Sequence, residues 1–221
     1  MAKLVGGPLG SYRGKAGGTI GTSWKGIPVV KAMPLSVANP DTVLQQAQRG
    51  RFSQCVAVAR LLLSDLITPY WNPFSKRMSG YNAFIRQNIK AFDKNGLSKP
   101  EDFYASRGIL KGFQDFTASS AVDDENIQTQ WTINSGEGDA LDTDIPIFVY
   151  YNETQNVWKF KTGGQTRSKA GEVIPDNTIK EDDEIHLWAF FIRPDVSKIS
   201  DSTYYNVVVT AYPYFWLTCN I

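Results

Sequence analysis

His186 is the only histidine in the chain, and the cysteines are two, Cys55 and Cys219, far apart. The residue types that most often do chemistry are therefore scarce. A serine or cysteine nucleophile would have to be served by that one imidazole, yet no nucleophile elbow or local cysteine signature surrounds any candidate. His186 lies inside an apolar run, where a packed, structural role is the expectation. Three acidic clusters, Asp123-Asp124-Glu125, Asp142-Thr143-Asp144 and Glu181-Asp182-Asp183-Glu184, offer oxygen ligands. None of them has the ligand order and fixed glycine of an EF-hand, and each falls at a strand junction where solvated turns are common. The N-terminal glycines follow neither the P-loop nor the dinucleotide pattern. The residues predict a protein that is not an enzyme and holds no metal and no cofactor. Two distant cysteines also make neither a disulfide framework nor a zinc site, in keeping with a reducing compartment.

Charge is more informative than catalytic residues. Residues 1–100 hold 14 Lys and Arg against Asp41, Asp65 and Asp93, about +11, while the rest hold 9 against 19 Asp and Glu, about −10, although the whole chain is +1. Between Met1 and Pro40 there is no acid at all. Such a split suits a polyanion, an acidic protein surface, or copies that associate positive end to negative end; mutual neutralisation within one fold is the alternative. No apolar run approaches the roughly 20 residues that span a bilayer, and no signal-peptide core follows Met1, so synthesis and retention in a cytoplasm are expected.

The elements that would carry these residues can be read from periodicity. Residues 1–13 read as an extended arm. Thr19–Trp24 and Ile27–Lys31 read as a hairpin turned by Lys25-Gly26. After Asn39-Pro40, a helix is expected from Asp41 to Leu63, with Leu44, Ala47, Phe52, Cys55, Val56, Ala59, Leu62, Leu63 and Leu66 on a buried face and Gln45, Gln48 and Arg49 on the opposite one. Thr68-Pro69 and Trp71-Asn72-Pro73 break it. A second helix is expected from Ser75 to Asp93, ended by Asn95-Gly96. The joint lies near residues 97–107.

From Gly108 the pattern changes to alternating strands: Phe113–Ala118, Ile127–Ile133, Ile145–Tyr151, Val157–Lys161, Glu172–Ile174, Glu184–Arg193 and Tyr204–Ala211, with an extra strand in Tyr212–Ile221. The Glu184–Arg193 strand is apolar on both faces, so both must be covered. This spacing resembles a fibronectin type III or immunoglobulin-like module, with Trp131 at its core-tryptophan position on the second strand. Its sixth strand carries His186 or Leu187 where that fold has a tyrosine. The fold class expected is α+β: a basic arm, hairpin and two helices over 1–107, then an immunoglobulin-like antiparallel β-sandwich over 108–221.

GKAGGTIGTSWKGIPVVKAMP, ANPDTVLQQAQRGRFSQCVAVARLL and GYNAFIRQN occur here in an order that resembles an uncharacterised family of Bacteroidetes and phage-encoded proteins, and the likeness covers nearly the whole chain. It implies a bacteriophage virion component, made in the host bacterial cytoplasm, in capsid, neck or tail. Its partners would be other virion proteins and copies of itself, with possible contact to packaged DNA, and neither a membrane nor a small-molecule substrate. The expected docking residues are Arg13, Lys15, Trp24, Lys25 and Lys31 in the arm and hairpin, and Gln45, Gln48 and Arg49 on the first helix. A nucleic-acid-binding protein using the basic half, or a carbohydrate or host-surface module on the sandwich, are the alternatives.

Overall fold

In a computed structural model, the described residues are 3–4, 12–24, 26–36, 41–121 and 126–209. They divide into two units, Met1–Thr42 and Val43–Ile221.

The first unit is an antiparallel sheet in the order β1 (Lys3–Leu4), β2 (Tyr12–Ala16), β3 (Thr19–Trp24), β4 (Ile27–Ala32). The expected hairpin is β3–β4, with Trp24 paired to Ile27 across a two-residue connection. Gly26 takes φ +84°, a conformation that glycine adopts without penalty. The arm adds two further strands. Tyr12 crosses over Gly21, where a Cβ would come within 2.0 Å of the Tyr12 carbonyl oxygen, so only glycine fits. Lys25 and the Asn39-Pro40 helix start lie outside the described residues.

The second unit opens with α1 (Val43–Leu61), a π-helical turn over Leu63–Ile67 and a short α2 (Thr68–Tyr70). The helix bends by 70° near the expected end at Leu63, and a further helical piece runs on through Thr68-Pro69 to stop at Tyr70, at the start of the expected Trp71-Asn72-Pro73 break. The bend coincides with the π-helical turn: the Ile67 N–H reaches back to the Leu62 carbonyl at 2.9 Å, one residue further than in an α-helix. The next helix, α3 (Gly80–Asn88), starts five residues later than the apolar spacing suggests and ends in a 3-10 turn over Ile89–Ala91. Arg77 sits at φ 64°, which interrupts any helix there, and the Ser79 hydroxyl caps the Asn82 N–H.

Seven strands follow: β5 (Gln114–Ala121), β6 (Asn126–Thr132), β7 (Ile145–Asn152), β8 (Val157–Thr162), β9 (Gly171–Pro175), β10 (Glu184–Ile192) and β11 (Thr203–Val208). They form a three-stranded sheet, β5-β6-β9, and a four-stranded sheet, β11-β10-β7-β8, all pairs antiparallel. This is the expected immunoglobulin-like sandwich, with strand ends that differ by no more than three residues. The proposed extra strand in Tyr212–Ile221 lies outside the described residues.

Strand β10 organises the unit. Ile185, Leu187, Ala189 and Phe191 face the three-stranded sheet, in a core with Phe116, Ile127, Trp131 and Ile174. Trp188, Phe190 and Ile192 face the helices, in a second core with Ala59, Leu66, Phe84 and Phe103. Burying two faces of one sheet needs covers on both, and the helices supply the second. They therefore belong to the sandwich unit, and the boundary expected after residue 107 falls instead at Thr42.

Candidate functional site

The N-terminal sheet presents a charged surface whose composition follows from register. Lys15 pairs with Ile20, and Ile20 with Lys31, so the three stand in one row across β2, β3 and β4. Cross-strand partners share a face, and so does Arg13, two positions from Lys15 on the same strand. Arg13, Lys15 and Lys31 are all exposed. Trp24 holds the register position opposite Ile27, two residues along β3 from Thr22. Apolar residues interleave with the cations: Ile27 is 59 % exposed, Val29 38 % and Val30 54 %. Every residue of β4 is exposed. The Val29-Val30 pair was legible in the sequence as strand-forming but gave no sign that its side chains stay uncovered.

Gln45, Gln48 and Arg49 are likewise exposed, on α1, but their position differs from expectation. Gln48, Phe52, Cys55, Ala59 and Leu62 follow one another at helical spacing, so Gln48 extends the buried stripe and does not oppose it. Cys55, Ala59 and Leu62 are buried against the sandwich, whereas Phe52 is 50 % and Leu44 83 % exposed. The apolar stripe expected to be buried from Leu44 onward is covered only from Cys55. Gln45, Gln48 and Arg49, at steps of three and four with Phe52, form one mixed face at the uncovered end of the helix. Arg13, Lys15 and Lys31 are thus gathered in one unit, and Gln45, Gln48 and Arg49 in the other.

The titratable interior of the sandwich is engaged in structure. Arg167 is fully buried: its Nη2 lies 3.1 Å from Asp144 Oδ2, its Nη1 donates to Asn134 Oδ1 at 2.6 Å, and its guanidinium lies 3.8 Å from the Phe191 ring centre. Burial lowers its pKa, opposed by the Asp144 carboxylate. Asp144 Oδ2 also accepts from the Leu141 N–H at 2.9 Å, while its Oδ1 lies 3.7 Å from Arg193 Nε, an ion pair too long for a hydrogen bond. Asp183 accepts from Asn152, Gln155 and the Lys180 N–H, which fixes a turn. Asp176 accepts from the Tyr150 hydroxyl at 2.9 Å and from Lys159 at 2.6 Å. Burial pushes its pKa up, but bonds from Lys159, Thr178 and Tyr150 outweigh this and hold it below the ordinary carboxylate value. Asp123-Asp124-Glu125 lie outside the described residues.

Cys55 is buried, and desolvation pushes its thiol up to about 11, which leaves almost no thiolate at neutral pH. His186 is buried, with Nδ1 2.9 Å from the Tyr204 hydroxyl and Nε2 2.8 Å from Glu153 Oε2. An open groove of about 920 Å³ over β5, β6 and β9 is lined by Asp115, Thr117, Gln130, Thr132, Gln165 and Glu172 among others. Its one aromatic, Trp131, is buried and donates its indole N–H to the Arg167 carbonyl at 2.9 Å, so the groove offers no exposed ring on which a sugar would stack. Among the described residues, no single helix is long and apolar enough to cross a membrane.

Known structures resemble parts of the chain at low similarity. A fibronectin type III domain of human collagen alpha-1(XX) chain aligns at 10 % identity and TM-score 0.35, over 46 % of this chain and 86 % of that one. Chicken CNTN1 FN1-FN3 domains align at 10 % and 0.35, over 45 % of this chain and 33 % of theirs. A family 76 glycoside hydrolase from a bovine Bacteroides thetaiotaomicron strain aligns at 6 % and 0.35, over 46 % of this chain and 21 % of the enzyme. No curated protein sequence matches this one. Residues 11–206 match the model of DUF6266, a family of unknown function.

Proposed function

The chain belongs to DUF6266, a family of unknown function, and on that premise we propose that it is a non-catalytic docking subunit of a multi-copy assembly, a structural component of a bacteriophage virion. The observation that carries the docking reading is the N-terminal sheet. It is a small antiparallel sheet whose β4 side chains are all exposed, with apolar and cationic residues mixed and no acid from Met1 to Pro40. A sheet of this size without a covered apolar face is marginal in water, so a partner surface is the physical expectation. The uncovered start of α1, with Phe52 beside Gln45, Gln48 and Arg49, supports the same reading. The virion identity rests on the motif resemblance in GKAGGTIGTSWKG, the Asn39-Pro40 helix opening and GYNAF.

The partners are other virion proteins and further copies of the chain, attracted by the opposite charges of its basic and acidic parts. The test is mass spectrometry of purified virions against infected-cell lysate. The protein should be present in the particle at many copies; finding it only in lysate overturns the reading. A second reading, contact with packaged DNA, is favoured by the Lys15–Lys31 row alone. It predicts DNA binding by the isolated protein that weakens steeply with added salt, and a protein that ignores DNA at low salt overturns it.

A further inference from the structure

At one end of the four-stranded sheet, His186, Glu153 and Glu184 converge so that one ligand atom from each lies within 4.8 Å of the others. We infer that these three side chains form a binding site for a divalent transition-metal ion of the Zn²⁺ class. No other feature described above, the docking surfaces included, uses them.

The placement follows from strand geometry. Glu184 and His186 are two apart on β10 and share a face, and His186 pairs with Tyr151 on β7 and with Asn206 on β11. Glu153, two residues beyond Tyr151, begins the β7–β8 turn and comes back over the same face. The turn is latched to β10 by the backbone: the Glu153 N–H donates to the Glu184 carbonyl at 2.8 Å, and the Glu184 N–H donates to the Thr154 hydroxyl at 3.1 Å. Two carboxylates of like charge are thus held beside one imidazole, and among the described residues no Lys or Arg forms an ion pair with either.

The surroundings match what a metal-binding histidine requires. A ligating imidazole is usually oriented by a bond to its second nitrogen, and here Nδ1 is 2.9 Å from the Tyr204 hydroxyl, which leaves Nε2 to face Glu153. Glu184 is held in turn by the Asn206 amide, which donates to its Oε1 at 3.0 Å. The His186 ring lies 6.2 Å from the half-buried Tyr151 ring with the planes 21° apart. Its side chain is 5 % exposed and that of Glu153 is 53 % exposed, so the donors meet where solvent, and an ion, can enter. With metal–ligand bonds of about 2.0–2.1 Å, tetrahedral donors stand about 3.3 Å apart. The His186–Glu153 contact of 2.8 Å would open by about half an ångström, a rotation within reach of the exposed glutamate. One imidazole nitrogen with carboxylate oxygens suits zinc among the divalent ions, and a fourth position stays open to water. Such an ion would clasp the β7–β8 turn onto the start of β10.

The test uses the full chain without an affinity tag, stripped with EDTA and titrated with Zn²⁺ by calorimetry, with thermal unfolding followed in parallel. One equivalent should bind and raise the unfolding temperature. Glu153→Gln combined with Glu184→Gln, both changes at the exposed rim, should lower the affinity at least about 100-fold with the metal-free unfolding temperature little changed, and Tyr204→Phe should lower it about 10- to 100-fold. Co²⁺ in place of Zn²⁺ should give a visible absorption band that the double variant loses. Absence of stoichiometric binding overturns the site, and so does binding that persists in the double variant, since the ion would then sit elsewhere.

Discussion

The N-terminal sheet and the four-stranded sheet are both antiparallel and both rich in strand-forming residues, yet they stand at opposite ends of burial. In β10 all residues from Ile185 to Ile192 are buried, and in β4 all are exposed. The first is held by two cores, one on each face; the second is held, among the described residues, by its backbone ladder to β3. The sequences differ accordingly. EIHLWAFFI places large apolar residues on both faces, while IPVVKA offers small apolar residues next to Lys31 and a proline. A strand that its own chain buries is a stability element. One left uncovered is either a liability or a contact, and the acid-free composition around β4 favours contact.

Substitutions can break this comparison from either side. The largest effect is expected at the fully buried Arg167: Arg167→Met leaves the Asp144 charge without its main partner, and urea unfolding should show a loss of about 3–5 kcal/mol. Next, Asp176→Ala strands the buried Tyr150 hydroxyl and should cost about 1–3 kcal/mol by the same measurement.

The acid limb sharpens the point. Because the folded-state pKa of Asp176 is lowered, its contribution is complete above its unfolded value, about 3.9, and is lost as pH falls through the lower folded value. Asp176→Asn should therefore flatten the dependence of stability on pH below about 4, read from urea midpoints.

The smallest stability effects are expected in the other region. Lys15→Glu with Lys31→Glu, or Phe52→Ser, should change unfolding free energy by no more than about 0.5 kcal/mol. Both should nonetheless reduce incorporation into particles, measured as copies per virion. Stability losses there as large as at Arg167 would show that these surfaces are covered by the chain itself, and the contrast would fail.

Much of the fold was legible because period-two alternation survives any packing detail. The β3–β4 hairpin and the seven sandwich strands appear within a few residues of where alternation put them. The two-faced burial of β10 could be read from Trp188, Phe190 and Ile192 set between Leu187, Ala189 and Phe191. The helices were less legible. Helical periodicity marks a stripe but not how far its cover extends, so Leu44 and Phe52 look as buried as Cys55 and Ala59. Nor does it show where Arg77 turns the backbone or that the chain bends at Leu62 and goes on as a second helical piece. Of the candidate docking residues, Arg13, Lys15 and Lys31 were found by charge, and register then aligned them. The pairing of Glu153 with His186 had no local signal, since the two lie 33 residues apart.

The sequence by itself determined the strands, the charge asymmetry and the scarcity of catalytic residue types, because these depend on residue identity and short-range spacing. Only the tertiary structure decided which sheet the helices cover, where the apolar stripe of α1 runs out, and that His186 meets two carboxylates. Each of those depends on contacts between residues distant in the chain, which local periodicity does not encode.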